Sequence, residues 1–222
     1  MDVLLHANLR QLVRRINPYL LQIRQVESID HFVRALLDDH LRMIEEDMFG
    51  DLLRDSAIHI AAIVREAQIH PFPGIDLTFV ENGVRVLLTV KASPVWKSAY
   101  QRSRIRAQFH YAQQALEQTA PDDKIRCILG VCYGNLTYRD RYNYETLIGQ
   151  AFWEYISGNP RLYIDLLEPM HYKLDAHSMQ YEYNYLQLSA QLARDMLQEF
   201  CTNDQLDWDK VLAFCSGTRR TR

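Results

Sequence analysis

The chain has 222 residues, of which 48% are hydrophobic and 24% charged, and this composition predicts a globular protein with a sizeable core. Its 25 Lys and Arg residues against 28 Asp and Glu residues give a net charge of -3, which excludes binding of nucleic acid through overall positive charge alone. No apolar run approaches the roughly 18 residues of a membrane span, and the N-terminus lacks the apolar block of a signal peptide. Four cysteines without a CxxC pair indicate reduced thiols. We therefore expect a cytoplasmic protein with no membrane partner.

The first elements of the chain are predicted to be helical. Over residues 28–65 the apolar side chains recur mainly at helical intervals, and Gly50 predicts a joint between two helices. Two prolines and a glycine within residues 71–74 then end the helical pattern. The sequence therefore predicts a helical segment followed by a change of structure near residue 75.

Residues 75–90 carry the two-residue period of β-strands, interrupted by Asn82-Gly83, which is a strong hairpin signal. If these two residues form the loop, partners across the hairpin have residue numbers that sum to 165, as 82 and 83 do. Asp76 then faces Thr89, and Lys91 shares a face with Thr89 because side chains alternate along a strand. The sequence therefore predicts three polar groups on one face of the hairpin and apolar groups on the other.

An aspartate and a lysine brought together in a sheet have two explanations. Burial of either charge without a partner is costly, so the two side chains could form a structural ion pair. Alternatively, Asp76 could bind a hard divalent cation through oxygen while Lys91 orients a water, or helps to deprotonate it, for attack on a phosphodiester. The spacing by itself leaves both explanations open.

The next segment is predicted to form a parallel strand–helix–strand unit. Apolar residues at helical spacing predict a helix over residues 101–118, and a nearly continuous apolar run predicts a buried strand over residues 125–133. Residues 91–116 contain no acid and five cations, so this helix presents either a phosphate-binding surface or a solvated basic face. Residues 144–214 are predicted to be helices broken at Gly158-Asn159-Pro160.

At these residues the chain resembles the PD-(D/E)xK phosphodiesterase superfamily, and more closely the PmeII-like type II restriction endonucleases. The superfamily signature alone is short, whereas the closer resemblance extends in one order along most of the chain. The matching segments are Asn17-Pro18-Tyr19-Leu20, Glu45-Glu46, Phe49-Gly50, Gly74-Ile75-Asp76-Leu77, Val90-Lys91, then Pro94, Trp96 and Gln101, then Cys132-Tyr133-Gly134, residues 149–158 and Asp207-Trp208.

The resemblance implies an α/β fold with a restriction-endonuclease-like αβββαβ core, a mixed sheet flanked by helices, and additional C-terminal helices. The expected organisation is a single domain over residues 1–222, with the core at about residues 28–135 and the helical extension at about residues 144–215. The implied cofactor is Mg²⁺, with Mn²⁺ as the alternative ion. Asp76 would be the principal metal ligand, Lys91 the catalytic lysine, and Glu46, in preference to Glu45, the second carboxylate.

The implied function is a type II restriction endonuclease that hydrolyses double-stranded DNA as a homodimer, alongside a companion DNA methyltransferase. The DNA contacts would come from Lys97, Gln101, Arg102 and Arg106. Two departures motivate an alternative, a catalytically degenerate DNA-binding or interaction protein: Thr89 stands where the wider superfamily usually has an acid, and the loop 92–100 differs from the small polar segment of relatives. A third alternative is a repair or RNA nuclease built on the same scaffold.

Overall fold

A computed structural model of the chain describes residues 7–94, 99–135, 143–168 and 178–217. The chain divides into two compact units, one of residues 1–46 with 171–222 and the other of residues 47–170. The described elements are, in chain order, α1 (Leu9–Val13), α2 (Pro18–Ile23), α3 (Ile29–Val64), β1 (Gln68–Ile69), β2 (Leu77–Glu81), β3 (Val84–Lys91), α4 (Ala99–Thr119), β4 (Lys124–Val131), β5 (Glu145–Ile148), α5 (Gln150–Ser157), α6 (Leu162–Asp165), α7 (Ser178–Phe200), β6 (Cys201–Thr202), β7 (Gln205–Leu206) and α8 (Trp208–Ser216).

The first unit is built mainly from helices. Asn17 caps α2 by accepting a hydrogen bond from the Leu20 N–H, and Pro18 occupies the first turn, where a missing N–H costs nothing. The N-terminal part of α3 and the later part of α7 contribute most of the buried residues of this unit's core. Helical spacing brings these side chains onto one face of each helix. They include Phe32, Val33, Leu36 and Leu37 of α3, and Leu188, Leu192 and Met196 of α7.

The second unit contains a mixed five-stranded sheet with the order β1-β2-β3-β4-β5. The pairs β1–β2 and β2–β3 are antiparallel, whereas β3–β4 and β4–β5 are parallel. Helix α4 connects β3 to its parallel neighbour β4, as the strand–helix–strand pattern predicts. This arrangement, together with the C-terminal helices, confirms the predicted α/β restriction-endonuclease-like fold. The expectation of one domain over the whole chain stays a prediction.

The predicted hairpin register is confirmed. The pairs run from Leu77 opposite Leu88 to Glu81 opposite Val84, so every pair sums to 165. Asn82 and Gly83 have φ angles of 51° and 76°, which are the two positive values that a type I′ turn needs. The turn chemistry therefore fixes which β2 and β3 residues are opposite each other.

Replacing Gly83 with Ala should lower the free energy of unfolding by about 1 kcal/mol, because an L-residue is strained at positive φ. A Cβ at this position meets no atom within 4 Å, so the cost comes from the backbone alone. Urea unfolding curves measure the change. Gly83→Asn is the matched control, since Asn tolerates the left-handed region, and it should cost clearly less than Gly83→Ala; equal losses would contradict this account.

Both faces of the central strand β3 bury apolar residues, so the predicted polar face, which carries Thr89 and Lys91, is polar only in part. Leu77, Val86 and Leu88 pack with residues of α3 and α5, whereas Leu87 packs with residues of α4. Ile75 belongs to the α4 side although Leu77 lies on the other, so the chain departs from strand alternation at the intervening residue. Strand alternation is therefore a poor guide to the orientation of that residue, Asp76.

Two further expectations are corrected. Helix α3 continues through Gly50, because a single glycine costs a helix only about 1 kcal/mol and the turns after it bury Ala57 and Ala61. Residues 145–148, expected to be helical, form β5 and pair with β4. That pairing is a tertiary interaction, and the spacing of apolar residues along the sequence does not reveal it. Among the described residues, no helix has both the length and the apolar character needed to cross a membrane.

Candidate functional site

Asp76 lies immediately before β2, at the edge of the sheet where β3 ends. Its backbone N–H donates to the Leu88 carbonyl (2.9 Å), and its Oδ2 accepts from the Val90 N–H (2.7 Å). The side chain is 12% exposed. One oxygen of the Asp76 carboxylate is therefore fixed by the backbone of β3, at the residue that directly precedes Lys91.

The second oxygen of Asp76 is paired with an arginine from helix α3. Arg54 donates from Nη2 to Asp76 Oδ1, and its side chain is 41% exposed. One turn earlier in α3, a Cβ at Gly50 would lie 3.5 Å from the Ala92 Cβ, so the helix passes close to the end of β3. The contact of Arg54 with Asp76 was not predicted from the sequence. The available signal was the four-residue spacing of Arg54 from Gly50, which places both on one helix face.

Lys91 is the last residue of β3 and is half-buried. Its carbonyl accepts from the Cys132 N–H (2.9 Å), which ties the ends of β3 and β4 together. In the described part of the chain Lys91 forms no ion pair with Asp76, so the structural ion pair between these two residues is not present; Asp76 pairs with Arg54 instead. The two side chains share the sheet edge, where alternation along β3 places Lys91 on the α4 side.

Thr89 holds the loop that carries Asp76. Thr89 is only 1% exposed, and its Oγ1 donates a hydrogen bond to the Gly74 carbonyl (2.7 Å). The His70 N–H donates to the Asp76 carbonyl (3.3 Å) in the same loop. Burial, and secondarily Arg85, lowers the pKa of His70, which favours the neutral imidazole whose Nδ1 accepts from the Phe72 N–H. Thr89 therefore positions the loop in place of supplying a carboxylate oxygen.

Replacing Thr89 with Val should lower the free energy of unfolding by about 1–3 kcal/mol, because the change removes a buried hydrogen bond and leaves the Gly74 carbonyl without that donor. Thermal and urea unfolding measure the loss. Thr78→Val is a matched control on the neighbouring strand β2, since the Thr78 hydroxyl has no hydrogen-bond partner among the described residues. An equal cost for both variants would show that the Thr89 hydrogen bond contributes nothing specific.

Glu45 and Glu46 both lie on α3 with exposed side chains. Glu46 accepts a hydrogen bond from Arg42 (2.9 Å), one turn earlier in the same helix. Both glutamates belong to the first unit, whereas Asp76 and Lys91 belong to the second. The convergence of a glutamate with Asp76 stays a prediction.

The predicted DNA-binding residues are only partly described. Gln101 and Arg106 are exposed on α4, and Arg102 on the same helix is half-buried. Lys97 lies outside the described residues. Their spacing places Arg102 and Arg106 one helical turn apart, a geometry that suits contacts with successive phosphates.

The side chains near Asp76 can be compared with the ligands that a magnesium ion requires. No group of three His, Cys, Asp or Glu residues that could hold a metal occurs within the described ranges. Mg²⁺ is commonly held through one or two carboxylates, with waters and substrate phosphates completing its shell. Asp76 supplies one carboxylate, and its Oδ1 already holds a cationic group, so it fits this role as a single ligand. Thr89 is engaged with Gly74 and adds no carboxylate.

The first unit has a separate cavity of about 640 Å³ with basic walls. Four arginines and two aspartates line it, and two of those arginines, Arg15 and Arg24, form no ion pair among the described residues. Its polar lining residues are Arg15, Asn17, Arg24, His31, Arg34, Asp38, Asp39 and Arg42. This cluster was not predicted from the sequence, because its polar members come from the turns before and after α2 and from α3.

Comparison with protein families gives a match over most of the chain. Residues 1–178 match the family of type II restriction endonuclease EcoO109I. The matched range includes Asp76, Lys91 and both glutamates of α3. A search of curated proteins finds no match. The resemblance to type II restriction endonucleases is thereby confirmed, and the narrower likeness to PmeII-like enzymes stays a prediction.

Proposed function

Because the chain belongs to the type II restriction endonuclease EcoO109I family, we propose that it is a cytoplasmic, magnesium-dependent endonuclease that cleaves double-stranded DNA. The observation that supports this most directly is the Asp76 carboxylate, held by the Val90 N–H (2.7 Å) beside Lys91 at the end of β3. Asp76 would hold the divalent ion. When bound, such an ion neutralises charge that develops on the phosphate and lowers the pKa of a coordinated water.

Lys91 orients the attacking water in this proposal. Lys91 directly follows Val90 in β3, and the Val90 N–H donates to the Asp76 carboxylate, which precedes β2. The amine and the carboxylate therefore come from the same end of the β2–β3 pair. An ammonium group there would stabilise negative charge on the attacked phosphate, and the amine could accept a proton from the water. Thr89 supports Asp76 by fixing the loop before β2.

Glu46 is the proposed second carboxylate, with Glu45 as the alternative. This assignment rests on the resemblance alone, which implies that a carboxylate of the helix before the hairpin completes the site.

We propose that Gln101, Arg102 and Arg106, with Lys97, contact the DNA backbone, because cations on one face of α4 suit phosphate contacts. A two-fold homodimer would present two equivalent sites to the two antiparallel strands of a palindromic sequence. A companion DNA methyltransferase would protect the host DNA from such an enzyme.

A cleavage assay tests the proposed function. Purified protein should convert a complex DNA, such as a phage genome, into discrete fragments in millimolar Mg²⁺ or Mn²⁺, and EDTA should prevent this. Single-stranded DNA and RNA of the same length serve as substrates for the repair or RNA nuclease alternative. Absence of metal-dependent cutting of duplex DNA would refute the proposal.

The second candidate function is a catalytically degenerate DNA-binding or interaction protein. Arg54 already neutralises the Asp76 carboxylate, and the Thr89 hydroxyl is engaged with a backbone carbonyl. A protein of this kind would bind duplex DNA with the same affinity in Mg²⁺ and in EDTA, and it would leave the DNA intact. Gel-shift measurements under both conditions separate it from the endonuclease.

A further inference from the structure

Arg54 occupies the position at Asp76 where the proposed function requires a metal ion. Its guanidinium donates to Asp76 Oδ1, and the other carboxylate oxygen is engaged by the Val90 N–H at 2.7 Å. Both oxygens of a largely buried carboxylate therefore have partners, and the charge of that carboxylate is balanced by an arginine of α3.

The two partners of Asp76 differ in how easily they can leave. The Val90 N–H belongs to the backbone of the central strand, where Val90 is fully buried, so it is fixed. The Arg54 side chain is 41% exposed, and its other ion-pair contact among the described residues is Asp55 at 3.6 Å. An exposed guanidinium on a flexible stem can turn to water or to Asp55, because exposed ion pairs are weak.

We propose that Arg54 competes with the divalent cation for Asp76, so that metal binding requires displacement of the guanidinium. This inference rests on the proposed function, since it concerns the same carboxylate. Two cations cannot share Asp76 Oδ1 without strong repulsion. Arg54 therefore keeps the affinity for the metal low in the protein without DNA, and its removal raises that affinity.

The test measures metal affinity without DNA. Mg²⁺ or Mn²⁺ alone is titrated calorimetrically into the wild-type protein and into Arg54→Gln, which keeps a polar side chain but shortens it and removes its charge. We expect the variant to bind the metal about fivefold more tightly, which corresponds to about 1 kcal/mol, the upper value for a partly exposed ion pair. Arg85→Gln is the matched control, because it removes an arginine paired with Asp123 on the same unit, and it should leave metal affinity unchanged.

The inference is overturned if Arg54→Gln binds the metal no more tightly than the wild-type protein, which includes the case in which neither protein binds it. It is also overturned if Arg85→Gln gains as much metal affinity as Arg54→Gln. A gain that disappears in the double variant Arg54→Gln with Asp76→Asn supports it, because the carboxylate is then the shared site. This result is independent of the cleavage assay. A wild-type protein that cuts DNA while Arg54→Gln shows no gain would refute the competition and leave the proposed endonuclease standing.

Discussion

Replacing Asp76 with Asn should reduce the rate of Mg²⁺-dependent DNA cleavage by about 10³-fold or more. A bound metal ion stabilises the transition state by several kcal/mol, and each 1.36 kcal/mol is a factor of ten in rate. Asn keeps an oxygen that can accept from the Val90 N–H, so the loop before β2 should stay in place. The ion pair lost with Arg54 is partly exposed and costs at most about 1 kcal/mol. Rates of fragment formation at saturating metal measure the loss, and thermal unfolding measures the fold.

Asp123→Asn is the matched control for this experiment. Asp123 is also a carboxylate of the second unit paired with an arginine, Arg85, but it precedes β4 at the opposite end of β3 from Lys91. Its replacement should leave cleavage within about twofold of wild type, as expected for a residue outside the reaction. Lys91→Ala, in contrast, should lose about 10²- to 10⁴-fold, the usual range for a residue that transfers or orients a proton. Full activity in Asp76→Asn would end the proposal that this carboxylate holds the catalytic metal.

Replacing Trp153 with Ala should destabilise the second unit by about 3–5 kcal/mol, because it empties a large volume from a closed core. Trp153 is 2% exposed on α5 and lies against Phe152, with ring centroids 5.5 Å apart. Its Nε1–H also donates to the Cys132 carbonyl (2.8 Å). Cys132 in turn donates its N–H to the Lys91 carbonyl (2.9 Å), so the loss reaches the end of β3 that carries Lys91, the proposed catalytic lysine.

Urea unfolding followed by far-ultraviolet circular dichroism measures this change without relying on the fluorescence of the removed tryptophan. Trp153→Phe separates the two contributions, since Phe retains most of the buried ring but lacks the N–H donor. It should cost about 1–3 kcal/mol, the price of one buried hydrogen bond. If Trp153→Ala were no worse than Trp153→Phe, core volume would not be the main contribution of this residue.

The hairpin illustrates what local sequence predicts well. Asn82 and Gly83 tolerate positive φ for reasons internal to each residue, and a two-residue turn admits a single register. The register of β2 and β3 was therefore predictable down to individual pairs. Helix α4 was predictable on similar grounds, because its buried residues Ile105, Phe109 and Ala112 recur at helical spacing.

Elements whose structure depends on distant partners were predicted less well. Glu145–Ile148 forms a strand because β4 offers it a parallel edge, and four residues carry too little periodicity to reveal that. Gly50 remains helical because α3 buries Ala57 and Ala61 further along, which outweighs the low helix propensity of one glycine. Both errors come from interactions between residues that are far apart in the chain.

The candidate site divides in the same way. Asp76 and Lys91 were identified from residue types, hairpin register and family resemblance, and the register holds. Arg54, the ion-pair partner of Asp76, was not identified, because it lies on a helix and precedes Asp76 by twenty-two residues. The structural role of Thr89 likewise depends on the path of the loop through Gly74, which is set by packing against α4.

By itself, the sequence determined the turn at residues 82 and 83, the pairing of β2 with β3, and the presence of an acid and a lysine at one end of that hairpin, because these follow from backbone preferences and strand period. Only the tertiary structure decided that both faces of β3 are buried and that Arg54, not Lys91, neutralises Asp76. The physical reason is that the docking of a helix on a sheet, which selects the side chains that meet, depends on the packing of many distant residues together.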